Sequence, residues 1–139
     1  MRTKISMTNI SLFSSLERVG LPLIVTSSKP HLCFLVDTGA THNVLFSYVY
    51  KELGNYFTPN DSRANIIGLN GESKGSLSVC GSISFGDKEI SASFSVVDSN
   101  EAVATIQKES GIQLHGILGI PFLIENKWVL DFNKLTLQC

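Results

Sequence analysis

An apolar run, Phe34-Leu35-Val36, ends on one acid, Asp37, set in a turn of small residues, Thr38-Gly39-Ala40. An aspartate at the end of a buried strand gives up hydration, a cost that requires compensation. Gly39 allows another backbone or a ligand to come close. The segment therefore reads as a carboxylate held rigidly for chemistry. Asp, Thr and Gly are also ordinary turn residues, and the tripeptide alone favours a structural turn. A second segment shifts the balance. Ile117-Leu118-Gly119 repeats the apolar strand and the glycine without the acid, and a short helical stretch follows each. Two such strand ends suggest a pseudo-symmetric pair of loops crossing at the centre of a β domain. One loop carries the acid and the other braces it.

The chain between and around these ends has a β pattern. Its 139 residues fit one domain. With 43% hydrophobic and 17% charged residues there is enough apolar material for a core. Strands are predicted over 21–26 and 32–36, and a short helix over 48–53, with Ser47 as N-cap and Gly54 as its stop. Residues 56–63 read as loop. Strands over 64–67 and 73–79 flank Gly68-Leu69-Asn70-Gly71, whose Asn-Gly pair is a hairpin signal. Strands over 82–85 and 89–97 flank Gly86-Asp87. In the latter, Ile90, Ala92, Phe94 and Val96 alternate with serines, a period of two with one face inward. A helix over 100–110 closes on Gly111, and a second starts near Pro121 and reaches residue 127. A final hairpin turns at Asn133-Lys134. Residues 1–17 have weak periodicity and are expected to be an extension, disordered or in contact with a partner chain, ahead of a domain over 18–139.

Composition excludes several classes of function. The net charge is −1, which gives no basic face for nucleic acid. No apolar run reaches the length of a membrane span, and residues 1–20 lack the apolar stretch of a secretory leader. A cytoplasmic protein that binds no membrane is expected. Three widely spaced cysteines, Cys33, Cys80 and Cys139, do not make a disulfide scaffold. Cys33 and Cys80 fall in strand-like segments and read as small buried hydrophobes. His31, His42 and His115 have no partners at metal-ligand spacing, so neither metal nor cofactor is expected. No serine lies in a nucleophile elbow, and no glycine-rich phosphate loop is present.

From about residue 20 to 137 the chain resembles the retropepsin-like aspartic proteases, particularly the bacterial single-domain members. Three features carry the resemblance: Phe34 through Ala40, the hairpin Ile66-Ile67-Gly68-Leu69-Asn70-Gly71, and a closing block. That block runs from His115-Gly116-Ile117-Leu118-Gly119 through Ile120-Pro121-Phe122-Leu123 and Trp128-Val129-Leu130-Asp131-Phe132 to Leu135-Thr136-Leu137. The resemblance implies an all-β fold, a closed barrel or sandwich with two or three short helices. It also implies an aspartic endopeptidase acting on a peptide or protein substrate.

The chemistry accounts for the residues. Peptide hydrolysis is slow because water is a poor nucleophile and the amide a poor electrophile. Two facing carboxylates address both problems, one accepting a proton from water and the other donating one to the carbonyl oxygen. At about 3 Å they share a single proton. This chain has one Asp-Thr-Gly, and neither Asp61, Asp98 nor Asp131 is followed by such a turn. The resemblance therefore implies a homodimer in which Asp37 of each copy meets on a two-fold axis. It further implies that Thr38 braces the loops, that backbone near Gly39 binds extended substrate, and that Ala40 keeps the subsite floor small. Gly119 supports the site structurally. Gly68, Leu69, Asn70 and Gly71 would form a flap over the peptide. The alternative is a peptide-binding module of the same fold that does not cut.

Overall fold

The computed structural model describes residues 8–60 and 77–139. Among these residues the fold is mostly β, in two sheets with four α-helices. The larger sheet contains β2 (Leu23–Val25), β3 (Cys33–Asp37), β4 (Val44–Phe46), β5 (Phe57–Pro59), β6 (Ser78–Phe85), β7 (Lys88–Val97) and β8 (Gly116–Gly119). Their order is β2-β3-β8-β4-β7-β6-β5. The smaller sheet has β1 (Asn9–Ser11) at one edge, β10 (Thr136–Gln138) in the middle and β9 (Val129–Asp131) at the other edge. The helices are α1 (Phe13–Val19), α2 (Ser47–Leu53), α3 (Glu101–Ser110) and α4 (Ile120–Glu125).

The period-two reading of β7 predicts its burial. Ala92 and Phe94 are buried, while Ser91 and Ser93 between and beside them are exposed. Phe94 stacks on Phe34 with ring centroids 5.6 Å apart, and Phe57 meets it edge-on at 6.0 Å. A second aromatic group joins the sheets, with Trp128 edge-on to both Phe85 and Phe122. Phe34, which precedes Asp37 by three residues, is fully buried. The strand that delivers the acid is thus anchored by packing before it reaches the turn.

Four local expectations change. The segment ahead of residue 18 is not a disordered extension from Asn9 onward. Asn9–Ser11 pairs with Thr136–Gln138, Thr8 and Cys139 exchange backbone hydrogen bonds at 2.8 and 3.0 Å, and Leu12 is fully buried. A three-residue strand is too short to show a period, and the seven-residue α1, the fourth helix, sets only Leu16 and Val19 against the core, too few positions to establish one. The stretch predicted as loop after residue 56 contains β5. Its Pro59 is tolerated because β5 is the outer strand of its sheet among the described residues, and Phe57 lies over Gly81, where a Cβ would come within 2.5 Å of the ring. Strand β6 runs unbroken through Gly81 instead of splitting there. Finally, Ser47 begins α2 rather than capping it, and its hydroxyl donates to Asp98 at 2.6 Å. The helix expected over 100–110 spans Glu101–Ser110 and closes, as expected, on Gly111 in the left-handed conformation, while Asn100 stands outside it as the N-cap, its Oδ1 accepting from the Val103 N–H.

No helix among the described residues is long and apolar enough to cross a membrane.

Candidate active site

The site is built on the pairing of β3 with β8. The two strands run parallel, with Phe34 opposite Gly116, Val36 opposite Leu118 and Asp37 opposite Gly119. Parallel neighbours require a long crossover, so residues far apart in sequence come to adjacent strand ends. The two apolar strand ends singled out from sequence therefore lie side by side.

The Asp37 turn is closed by its own backbone. The Gly39 N–H donates to Asp37 Oδ1 at 2.9 Å, and the Ala40 N–H donates to the Asp37 carbonyl at 3.1 Å. Asp37 is half-buried and Thr38 and Gly39 are exposed. The Gly39 N–H is the one donor its carboxylate meets among the described residues. The group is held by one oxygen and open at the other. A side chain at Gly39 would place its Cβ 3.3 Å from Oδ1 and crowd the carboxylate.

The Gly119 end receives this turn. The Ala40 carbonyl accepts the Ile120 N–H at 2.9 Å, tying the two loops together. Gly119 is buried, and a Cβ there would lie 2.8 Å from the carbonyl oxygens of both Ala40 and His42. At Gly116 a Cβ would lie 2.2 Å from the Val44 carbonyl. Real structures do not accommodate such distances to backbone, so both positions require glycine.

Asn43 is a supporting residue that sequence reasoning missed. Its Oδ1 accepts the Gly119 N–H at 2.9 Å, and its Nδ2 donates to the Ser93 carbonyl at 3.1 Å. One amide thus joins the Asp37 loop, β8 and β7. Its place six residues after the acid was visible, but nothing in the sequence said which N–H it would meet. His115 is the second. Its Nδ1 accepts the Cys33 N–H at 2.8 Å, and the Cys33 carbonyl accepts the His115 N–H at 2.9 Å, which extends the β3–β8 ladder below Phe34. An accepting Nδ1 belongs to a neutral ring with its proton on Nε2. Burial pushes His115 below its ordinary value, with the Glu52 charge opposing that shift.

Among the described residues, the cysteines and the histidines make no hydrogen bond to the acid. Burial pushes the Cys33 thiol up to about 11, which leaves it an inert hydrophobe. Cys139 is buried too, and Cys80 only half-buried. His31 and His42 are exposed. Among the described residues no cluster of three or more His, Cys, Asp or Glu side chains is placed to hold a metal ion. Gly68, Leu69, Asn70 and Gly71 lie outside the described residues.

Two hollows flank the turn. One, of about 260 Å³, is mostly apolar and is lined by Thr38 with α4 and the start of the last hairpin. The other, of about 300 Å³, is more polar and includes Thr41, His42, Asn43, Ser93 and Glu125.

Comparison with known proteins agrees with this geometry. The structure is similar to the crystal structure of the retroviral protease-like domain of Ddi1 from Leishmania major, with a TM-score of 0.53 over 81% of this chain and 84% of that one. Identity is 13%, so the likeness is one of fold. No curated protein matches the sequence. A family model described as aspartyl protease matches residues 24–122, a span that includes the acid turn, both parallel strands and Gly119. This chain belongs to the aspartyl protease family.

Proposed function

We propose that this protein is an aspartic endopeptidase whose working form is a homodimer, each copy contributing Asp37. One observation carries the reading. Asp37 ends an anchored strand with one carboxylate oxygen fixed by Gly39 and the other without a partner among the described residues, directly opposite a glycine that offers no second acid. A carboxylate so placed is positioned but chemically incomplete. A second copy related by a two-fold axis supplies the identical group.

In that dimer the two carboxylates hold one water between them and share one proton. The ionised carboxylate takes a proton from the water as its oxygen attacks the peptide carbonyl carbon. The protonated one donates to the carbonyl oxygen, giving a neutral tetrahedral diol. The C–N bond then breaks, and the departing nitrogen takes a proton from the dyad. The exposed backbone at Thr38 and Gly39 is available to pair with an extended peptide.

The test is turnover of a peptide library by the whole chain, with and without a pepstatin-type inhibitor. Cleavage at acidic pH that the inhibitor blocks is the expected result. Saturable peptide binding without turnover would replace this reading with a binding module of the same fold.

A further inference from the structure

The loop that carries Asp37 is exposed at its tip, and an exposed loop keeps one geometry only if the scaffold fixes both of its ends. The near end is fixed by β3, anchored through the fully buried Phe34. The far end is the return of the chain through Ala40, Thr41 and His42 to β4. None of these three residues is buried, so side-chain packing does not hold the return in place.

Two consecutive N–H groups at the Gly119 end hold it instead. The Ile120 N–H donates to the Ala40 carbonyl at 2.9 Å, and the Gly119 N–H donates to Asn43 Oδ1 at 2.9 Å. The first bond grips the middle of the loop and the second grips its end. Asn43 is braced from the other side by β7. Its Nδ2 donates to the Ser93 carbonyl at 3.1 Å, and its own carbonyl accepts the Ser95 N–H at 2.9 Å. With acceptor and donor both engaged, the amide has one orientation. Ala40 in turn closes the acid turn, its N–H donating to the Asp37 carbonyl at 3.1 Å. A continuous path of bonds therefore runs from β7 through Asn43, Gly119, Ile120 and Ala40 to Asp37.

We propose that Asn43 is a positioning residue for Asp37. By clamping the end of the acid loop onto Gly119, it sets the angle at which the carboxylate and the exposed Thr38–Gly39 backbone are presented. It acts through the loop, since the hydrogen bond to the carboxylate comes from Gly39. The catalytic half of the inference rests on the dimeric protease reading, and the positional half does not. A reacting group displaced by about 1 Å loses about 100-fold in rate, which is the scale expected when the clamp is removed.

Three variants of the full chain separate positioning from stability. Asn43→Ala removes the clamp. Asn43→Asp keeps an oxygen for Gly119 and, once its carboxyl is protonated, also offers Ser93 a donor as the amide does. Val79→Ala opens the core under β6, which β7 and β4 separate from β8, and so weakens the fold away from the loop. Cleavage is measured as kcat and KM at a temperature where each variant is folded by circular dichroism. Asn43→Ala should lose about 100-fold in kcat while Val79→Ala keeps it. Asn43→Asp should recover most of that loss, and more of it as pH falls. The Gly39 amide, which lies on Asp37 Oδ1, gives a second readout that needs no turnover. In nitrogen-15 spectra its resonance should move, and its solvent exchange quicken, in Asn43→Ala but not in Val79→Ala. A folded Asn43→Ala chain with the wild-type kcat overturns the proposal, as does one whose Gly39 resonance has not moved. Equal losses of kcat in Asn43→Ala and Val79→Ala would make Asn43 a stabilising residue only and overturn it too. If Asn43→Ala does not fold, Asn43→Asp decides, and a Gly39 resonance that stays fixed while the new carboxyl titrates overturns the proposal. A wild-type chain that cleaves nothing sinks the protease reading alone, and the Gly39 resonance still decides whether Asn43 holds the acid turn.

Discussion

The ends of β3 and β8 are the same piece of architecture used in two ways. Each is an apolar strand leading to a glycine turn, and the two run parallel in register. At the first end the side chain is kept. Asp37 is half-buried, its turn is exposed, and one carboxylate oxygen is free of partners among the described residues. At the second end the side chain is absent. Gly119 is buried, its N–H is taken by Asn43, and the space of its Cβ is filled by the carbonyls of Ala40 and His42. The site within one chain is therefore symmetric in backbone and asymmetric in chemistry. No side chain can occupy the Gly119 position without displacing the loop that holds Asp37, so in the proposed reading the second acid comes from another copy of the chain.

The sharpest way to separate the two ends is to change each by one residue. Asp37→Asn should reduce peptide cleavage by about 1,000-fold or more, since the proposed catalytic pair would act as a unit and would lose a member. Its melting temperature should hardly move, because the asparagine oxygen can still accept the Gly39 N–H. Gly119→Ala should do the reverse of the second part. It drives a methyl against two backbone carbonyls and should destabilise the fold by about 3 kcal/mol in urea titration. If Gly119→Ala is as stable as wild type, the second end is not the steric socket described here. If Asp37→Asn unfolds the protein, the first end is a structural turn.

The sequence made these two ends legible because each joins an apolar run to a glycine, a pattern dense enough to survive without contacts. The alternation in β7, the Gly111 helix stop and the Pro121 helix start were legible for the same local reason. What escaped depended on distant partners. β5 exists because Phe57 finds room over Gly81, and Pro59 fits because that strand is outermost among the described residues. β1 exists because β10 is there to pair with it. Asn43 and His115 are polar residues without a motif, and their roles appear only once β8 is placed beside β3.

Asn43 tests how the two ends are coupled. Asn43→Ala leaves the buried Gly119 N–H without its acceptor and should cost about 1–3 kcal/mol. Asn43→Asp keeps the acceptor and loses only the donor to Ser93, so it should cost less. Equal losses in the two variants would place the coupling at β7 rather than at Gly119.

The smallest effect concerns the far end of the same ladder, where His115 takes the Cys33 N–H. Burial holds the folded ring below its ordinary value of 6.5, while in the unfolded chain it protonates near that value. Between the two values the unfolded chain binds a proton that the folded chain does not. Stability from the neutral ring is therefore complete above pH 6.5, declines as pH falls through the lowered folded value, and changes no further below it. Protonation would also remove the lone pair that accepts the Cys33 N–H. His115→Asn offers an oxygen acceptor in place of the ring nitrogen and does not titrate. Urea midpoints for the two proteins should run parallel above pH 6.5 and diverge below it, with the wild type falling more steeply. The direction matters for the comparison, because the proposed carboxylate pair would work at acidic pH, whereas the strands that carry Asp37 are tied at their other end by a ring that must stay neutral. An unchanged slope in His115→Asn would mean that the ring does not hold β3 to β8, leaving Asn43 and the Ala40 carbonyl as the tie between them.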